Sequence, residues 1–147
     1  MDHHTLTPVE EDCLVTINTI EKEEKVARVS EIARRLNVSL VTVSTMVKRL
    51  TTLRLTDHES YGYVHLTSLG LKRAGDVLKK REAITLFFQC ILGMNSEEVD
   101  DEACELEHSL SLETERRLRK LMEFISSSPE TNSQWVKAFQ KFLSHEV

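Results

Sequence analysis

Ser30-Glu31-Ile32-Ala33-Arg34-Arg35-Leu36, then Asn37-Val38-Ser39, then Leu40-Val41-Thr42-Val43-Ser44-Thr45-Met46-Val47-Lys48-Arg49-Leu50 reads as two helices hinged on a tight turn. The first is a short helix over Ser30–Leu36. Ser39 is placed to accept from the opening turn of the second, which is predicted to run from Leu40 to Leu53 with Val43, Val47 and Leu50 inward. Two short helices with a capping serine at the start of the second form the helix-turn-helix pattern.

The flanks extend this unit. Leu53-Arg54-Leu55-Thr56 and Tyr63-Val64-His65-Leu66 are short β-prone runs around the turn-rich Asp57-His58-Glu59-Ser60-Tyr61-Gly62, which predicts a hairpin wing. Upstream, Thr7 caps and Pro8 opens a helix running to about Glu24, with Leu14, Ile17 and Ile20 on its buried stripe. Downstream, Thr67-Ser68-Leu69-Gly70 opens a long helix to about Leu92, closed by Gly93. Ser96 is read as the cap of a helix over Glu97–Ser109, and Ser111 as the cap of one over Leu112–Ile125. A last helix, Thr131–Leu143, carries Trp135, Phe139 and Phe142 on its apolar side. The fold class expected is mainly α: a winged helix-turn-helix domain with a small β-hairpin wing over residues 1–70, then an all-helical domain over residues 71–147.

If the second helix enters a major groove, its first turns present Ser39, Val41, Thr42, Ser44 and Thr45 to base edges, while Arg28, Lys48 and Arg49 reach phosphates. Those turns lack Arg, Asn and Gln, so the bidentate pairings that discriminate bases strongly are missing. One such module reads weakly, and a homodimer on a palindromic double-stranded DNA operator is expected, paired through the amphipathic helices after residue 70.

Composition agrees with these readings. The chain has 147 residues, 40% of them hydrophobic, enough to build a core, and only four glycines and two prolines to interrupt helices. A net charge of −5 argues against indiscriminate nucleic-acid binding. The charge is uneven. Between Arg28 and Arg54 stand Arg28, Arg34, Arg35, Lys48, Arg49 and Arg54 against the single acid Glu31, whereas Asn95 to Glu115 holds nine acids and no Lys or Arg. Three cysteines, Cys13, Cys90 and Cys104, make no disulfide framework. The opening Met1-Asp2-His3-His4 is not a secretory segment, and no apolar run approaches a membrane span. A reduced, cytoplasmic protein is expected.

Within the acidic stretch, Cys104, Glu107 and His108 stand at i, i+3 and i+4 and so share one helical face. Singly, a Glu-His pair is solvated surface and a lone Cys a small core hydrophobe. Together they offer a thiolate, a carboxylate and an imidazole to a divalent transition metal.

Asp101-Glu102-Ala103-Cys104, Glu107-His108-Ser109-Leu110-Ser111 and Glu115-Arg116-Arg117-Leu118 resemble the diphtheria toxin repressor family of metal-dependent regulators, with its iron- and manganese-responsive branches. Ala27-Arg28-Val29-Ser30-Glu31-Ile32-Ala33, Thr42-Val43-Ser44 and Leu66-Thr67-Ser68-Leu69-Gly70 are similar to its winged helix-turn-helix. The likeness covers nearly all of residues 8–128. It is to the short members, the Tro-type repressors among them, which lack a terminal SH3-like domain. It implies a repressor of metal-transport genes that binds DNA when loaded with Mn2+ or Zn2+, with Fe2+ a further candidate. It places Asp12, Cys104, Glu107 and His108 among the ligands. Asp12 resembles the manganese branch and Cys104 the iron branch, so the site is a hybrid. The family's long-helix histidine falls at Arg81 or Glu82, a following glutamate at Thr85, and a second histidine at Asp100. A second metal site would therefore have to be rebuilt from carboxylates such as Glu82 and Asp100.

Two other readings share these residues: a winged-helix regulator of a small organic ligand, and one whose metal is purely structural. No nucleophile motif supports an enzyme.

Overall fold

The structure, a computed structural model, describes residues 6–24, 26–58, 62–127 and 129–145. Its elements are α1 (Pro8–Glu24), β1 (Ala27–Arg28), α2 (Val29–Leu36), α3 (Leu40–Thr52), β2 (Thr56–His58), β3 (Tyr63–Leu66), α4 (Ser68–Leu86), a π-helical turn (Phe87–Ile91), α5 (Ser96–Ser109), α6 (Leu112–Ser127) and α7 (Pro129–Leu143). Two compact units divide at Leu78 and Lys79, inside α4. This is the winged-helix architecture followed by helices that the sequence predicts.

In the first unit each boundary has a local cause. The Thr7 N–H donates to Glu10 Oε2 (2.8 Å), one half of a capping box at the start of α1. Asn37 ends α2 in the left-handed region (φ 53°), its N–H turned back to the Ala33 and Arg34 carbonyls, a conformation Asn tolerates better than most residues. Two residues on, the Ser39 hydroxyl accepts from the Thr42 N–H at 3.1 Å and opens α3. The apolar faces of α1, α2 and α3 then meet. Leu14, Ile17, Ile20, Ile32, Val43, Val47 and Leu50 form one buried cluster with Ala27 and Val64 from the sheet. Burying such side chains contributes about 1.5–3 kcal/mol each.

The wing departs from expectation in two ways. Leu53 to Leu55 are not strand. The N–H groups of Leu53, Arg54 and Leu55 donate to the α3 carbonyls of Arg49, Thr51 and Leu50, and Arg54 is left-handed (φ 59°). A segment still capping a helix has no N–H groups left for a ladder, so the arm begins at Thr56. The sheet also has a third strand. β1 pairs antiparallel with β3 (Ala27↔Val64, Arg28↔Tyr63), and β2 pairs on the other side (Thr56↔Leu66, Asp57↔His65, His58↔Val64), in the order β1-β3-β2. Glu59, Ser60 and Tyr61 of the predicted turn lie outside the described residues, as does Ser128.

Thr67 joins wing to helix. Its hydroxyl donates to the Arg54 carbonyl (2.7 Å) and accepts from the Gly70 N–H (3.0 Å). Gly70 lies flat against the wing, and a Cβ built there would come 1.9 Å from the Leu55 carbonyl oxygen and 2.9 Å from its carbon. Both are backbone atoms that cannot swing aside. Gly70→Ala is expected to destabilise the fold by about 3 kcal/mol despite alanine's better helix propensity. A urea unfolding midpoint unchanged or raised in that variant would contradict this packing.

In the second unit the long helix widens into the π turn instead of running regularly to Leu92. The Leu92 N–H reaches the Phe87 carbonyl (3.3 Å), and Gly93 (φ 69°) closes it. The Cys90 carbonyl in this turn accepts from Gln140 Nε2 of α7 at 2.9 Å, which satisfies a group the widened turn leaves open. Asn95, not Ser96, holds the N-cap of α5, and its side chain makes no cap bond. Ser111 caps α6, its hydroxyl accepting from the Thr114 N–H at 3.2 Å. Ile84, Phe88, Val99 and Ala103 form the core of this unit, with Leu106, Leu110 and Leu118 packed against it. Among the described residues, no helix is long and apolar enough to cross a membrane.

Candidate metal centre and reading helix

Val99, Ala103 and Glu107 follow one another at four-residue spacing on α5, and all three are buried. Glu107 therefore continues an apolar stripe and is carried into the interior, where it has 0% exposure. Cys104 and His108, each one residue further round, are half-buried beside it. One ligand atom from each of Cys104, Glu107 and His108 lies within 4.8 Å of the others. His108 Nε2 is 3.4 Å from Glu107 Oε1. Donors around a tetrahedral zinc stand roughly 3.5 Å apart, given bond lengths of about 2.0–2.3 Å. Side-chain adjustments of about an ångström would bring these three to that spacing. The donor set fits a divalent transition metal: sulfur suits zinc and iron, and the carboxylate and imidazole suit manganese as well.

The buried carboxylate already has a cationic partner. Arg81 of α4 donates from Nη2 to Glu107 Oε1 (2.7 Å) and from Nε to Oε2 (3.0 Å), a two-point pairing. Its Nη2 also stands 3.6 Å from Cys104 Sγ. The sequence alone left the choice between Arg81 and Glu82 open. Arg81 is the one turned to Glu107, and Glu82 is exposed. Asp100 is exposed on α5; neither Glu82 nor Asp100 belongs to the close group of potential ligands. The Arg81 pairing was missed because nothing in linear spacing ties residue 81 to residue 107. The signal available was a lone buried-face acid on α5 and a basic residue on the preceding helix.

In the first unit, Asp12 is half-buried on α1. The neighbouring Cys13 is a different kind of cysteine from Cys104. Burial, aided by Glu10 and Asp12, pushes its thiol up to about 12, so it remains a protonated core group.

The start of α3 stands open. Val41 is 75% exposed, and its neighbour Leu40 is also exposed. Ser39, Thr42 and Thr45 are exposed and Ser44 is half-buried. An exposed valine flanked by hydroxyls suits a thymine methyl and adjoining polar edges. Lys48 is exposed. Arg49 is partly committed, its Nε 3.1 Å from buried Glu10. Arg28 lies over the Tyr63 ring, 5.3 Å from its centroid, and donates to the Tyr63 hydroxyl at 3.2 Å. This contact joins β1 to β3 and orients Arg28. Arg34 and Arg35 are paired with Glu31 and hold its carboxyl down at about 2.

Comparison with known proteins agrees with this geometry. Residues 5–64 match the N-terminal DNA-binding domain of iron-dependent repressors, and residues 67–136 match their metal-binding and dimerisation domain. The chain belongs to the iron-dependent repressor family of metal-dependent transcriptional regulators. It is 33% identical over 135 residues to the HTH-type transcriptional regulator MntR of Bacillus pumilus, covering 92% of each chain. It is 35% identical over 119 residues to the diphtheria toxin repressor of Corynebacterium diphtheriae, covering 81% of this chain and 53% of that protein. Among solved structures it is similar to ScaR with bound Zn2+ (TM-score 0.69, 31% identity, 78% of this chain and 54% of that one); ScaR is described as a manganese-activated repressor. The chain spans about half the length of these last two proteins. Members of the family are regulators, not enzymes.

Proposed function

We propose that the chain is a cytoplasmic repressor that binds a palindromic operator as a homodimer when loaded with Mn2+ or Zn2+, and controls metal-transport genes. The observation that carries this reading is the convergence of Cys104, Glu107 and His108 on α5, in a chain whose other unit exposes the start of a helix-turn-helix reading helix. Cys104, Glu107, His108 and, from the sequence likeness, Asp12 would hold the ion. When bound, it supplies a divalent charge that offsets the acidic stretch and a joint to which separate elements attach.

Asp12 belongs to the helix leading into the reader, and the other three to the metal-binding domain, taken here to begin near residue 70. Ligation shared between them ties the orientation of Ser39, Val41, Thr42, Ser44 and Thr45 to metal occupancy, with Arg28, Lys48 and Arg49 on phosphates. Metal and DNA then raise each other's affinity. Leu112, Phe124, Trp135 and Phe142 are exposed on α6 and α7, apolar surface suited to pairing with a second copy.

Calorimetric titration of chelator-treated protein with MnCl2 and ZnCl2 tests the site. Saturable binding of both, weakened by Cys104→Ala, is expected. A protein that takes up neither metal would not be a metal sensor. One that unfolds on chelation would have a structural ion.

A further inference from the structure

We propose that Arg81 is an internal competitor for the metal: its guanidinium grips Glu107 and sits against Cys104 in the metal-free protein, and an incoming divalent cation must dislodge it. This rests on the metal centre proposed above.

Both oxygens of Glu107 are engaged by Arg81, at 2.7 and 3.0 Å, and the Cys104 sulfur lies 3.6 Å from the same guanidinium. Two of the three convergent donors on α5 thus already face a cation. A metal bonded to Sγ and to a Glu107 oxygen needs lone pairs that point at Arg81, and at bonding distance it would stand within a few ångströms of a guanidinium of like charge. The two cations therefore oppose each other at this carboxylate.

Arg81 is suited to leave. Its side chain is 28% exposed, whereas Glu107 is fully buried, so the long stem can carry the guanidinium outward while the carboxylate stays. It is also needed until then, because a buried carboxylate stripped of its partner is strongly destabilising. The same pair that stabilises the empty protein is broken on loading, so its free energy is subtracted from metal affinity. The residue sets the concentration at which the site fills, and keeps it above what the bare donors would reach.

The test uses the full chain, Co2+ as the metal, and thiolate-to-cobalt absorption as a direct report on Cys104 ligation. Arg81→Gln is expected to melt at a lower temperature than wild type when metal-free. It is also expected to bind Co2+ about tenfold more tightly, with a larger rise in Tm on loading. Arg81→Lys, which keeps a cation but loses the two-point grip, is expected to tighten binding by a smaller factor, and it decides the matter if the Gln variant folds poorly. Equal or weaker Co2+ binding by the substituted protein overturns the competitor role. Failure of wild type and variants alike to bind Co2+ overturns the metal centre itself, and the proposal with it.

Discussion

Glu107→Gln is expected to reduce affinity for Mn2+ and Zn2+ by at least about a hundredfold, since loss of an outer-shell partner alone commonly costs 10–100-fold. Glu107 is the only one of the three convergent donors that is wholly buried, and it sits on the Val99–Ala103 stripe that packs the core of its unit. Its position is fixed by packing rather than by surface rotamers. The amide keeps the shape, and its oxygen still accepts one of the two Arg81 donations, so the unit should remain folded, with a lower Tm than wild type. It loses the charge that a divalent ion requires. Equilibrium dialysis measures the affinity, and thermal melting reports folding and linkage together. Wild type should gain Tm on adding metal and the variant should not. A variant that folds and binds metal as wild type does would remove Glu107 from the site.

Asp12→Ala has the second large effect, of a different kind. Metal-dependent operator binding should be abolished, while the metal-free fold and the pairing of the helical unit persist. Asp12 lies on the partly exposed side of α1, away from the fully buried Leu14, Ile17 and Ile20, so its truncation leaves the reader's core intact. Cys104, Glu107 and His108 remain, and residual metal binding is expected. What is lost is the attachment of the reader to the ion. The variant therefore separates metal occupancy from DNA affinity, the coupling on which a sensor depends. Calorimetry with metal beside fluorescence anisotropy with labelled operator reads the two apart. Unchanged metal-dependent DNA binding would mean that the reader is not held through α1.

The helices were legible because their signals are local. Pro8 after Thr7, Ser39 before Leu40 and Ser111 before Leu112 mark starts, and Leu14, Ile17 and Ile20 or Val43, Val47 and Leu50 keep helical period on a buried face. The convergence of Cys104, Glu107 and His108 was legible for the same reason, since i, i+3, i+4 on one helix is a local geometry. What was missed depends on distant partners. β1 is two residues long and exists only because Val64 and Tyr63 pair with it. Leu53 to Leu55 have strand composition, but α3's unsatisfied carbonyls claim their N–H groups first. The π turn shows as an ordinary helical run until Gly93 forces the closure. Arg81 stands 26 residues from Glu107, and only the folded helices bring them together.

The most direct test of the account is binding-site selection from a random duplex pool by Mn2+- or Zn2+-loaded protein, followed by measuring affinity for the enriched duplex with metal and with chelator at one salt concentration. Enrichment of a palindrome whose two half-sites are each read by one copy is expected. Affinity should fall by about a hundredfold or more when metal is removed, near the upper end of ordinary coupling between sites, and return on adding it back. Equal affinity for that duplex with and without metal would mean that the protein is not a metal-dependent repressor.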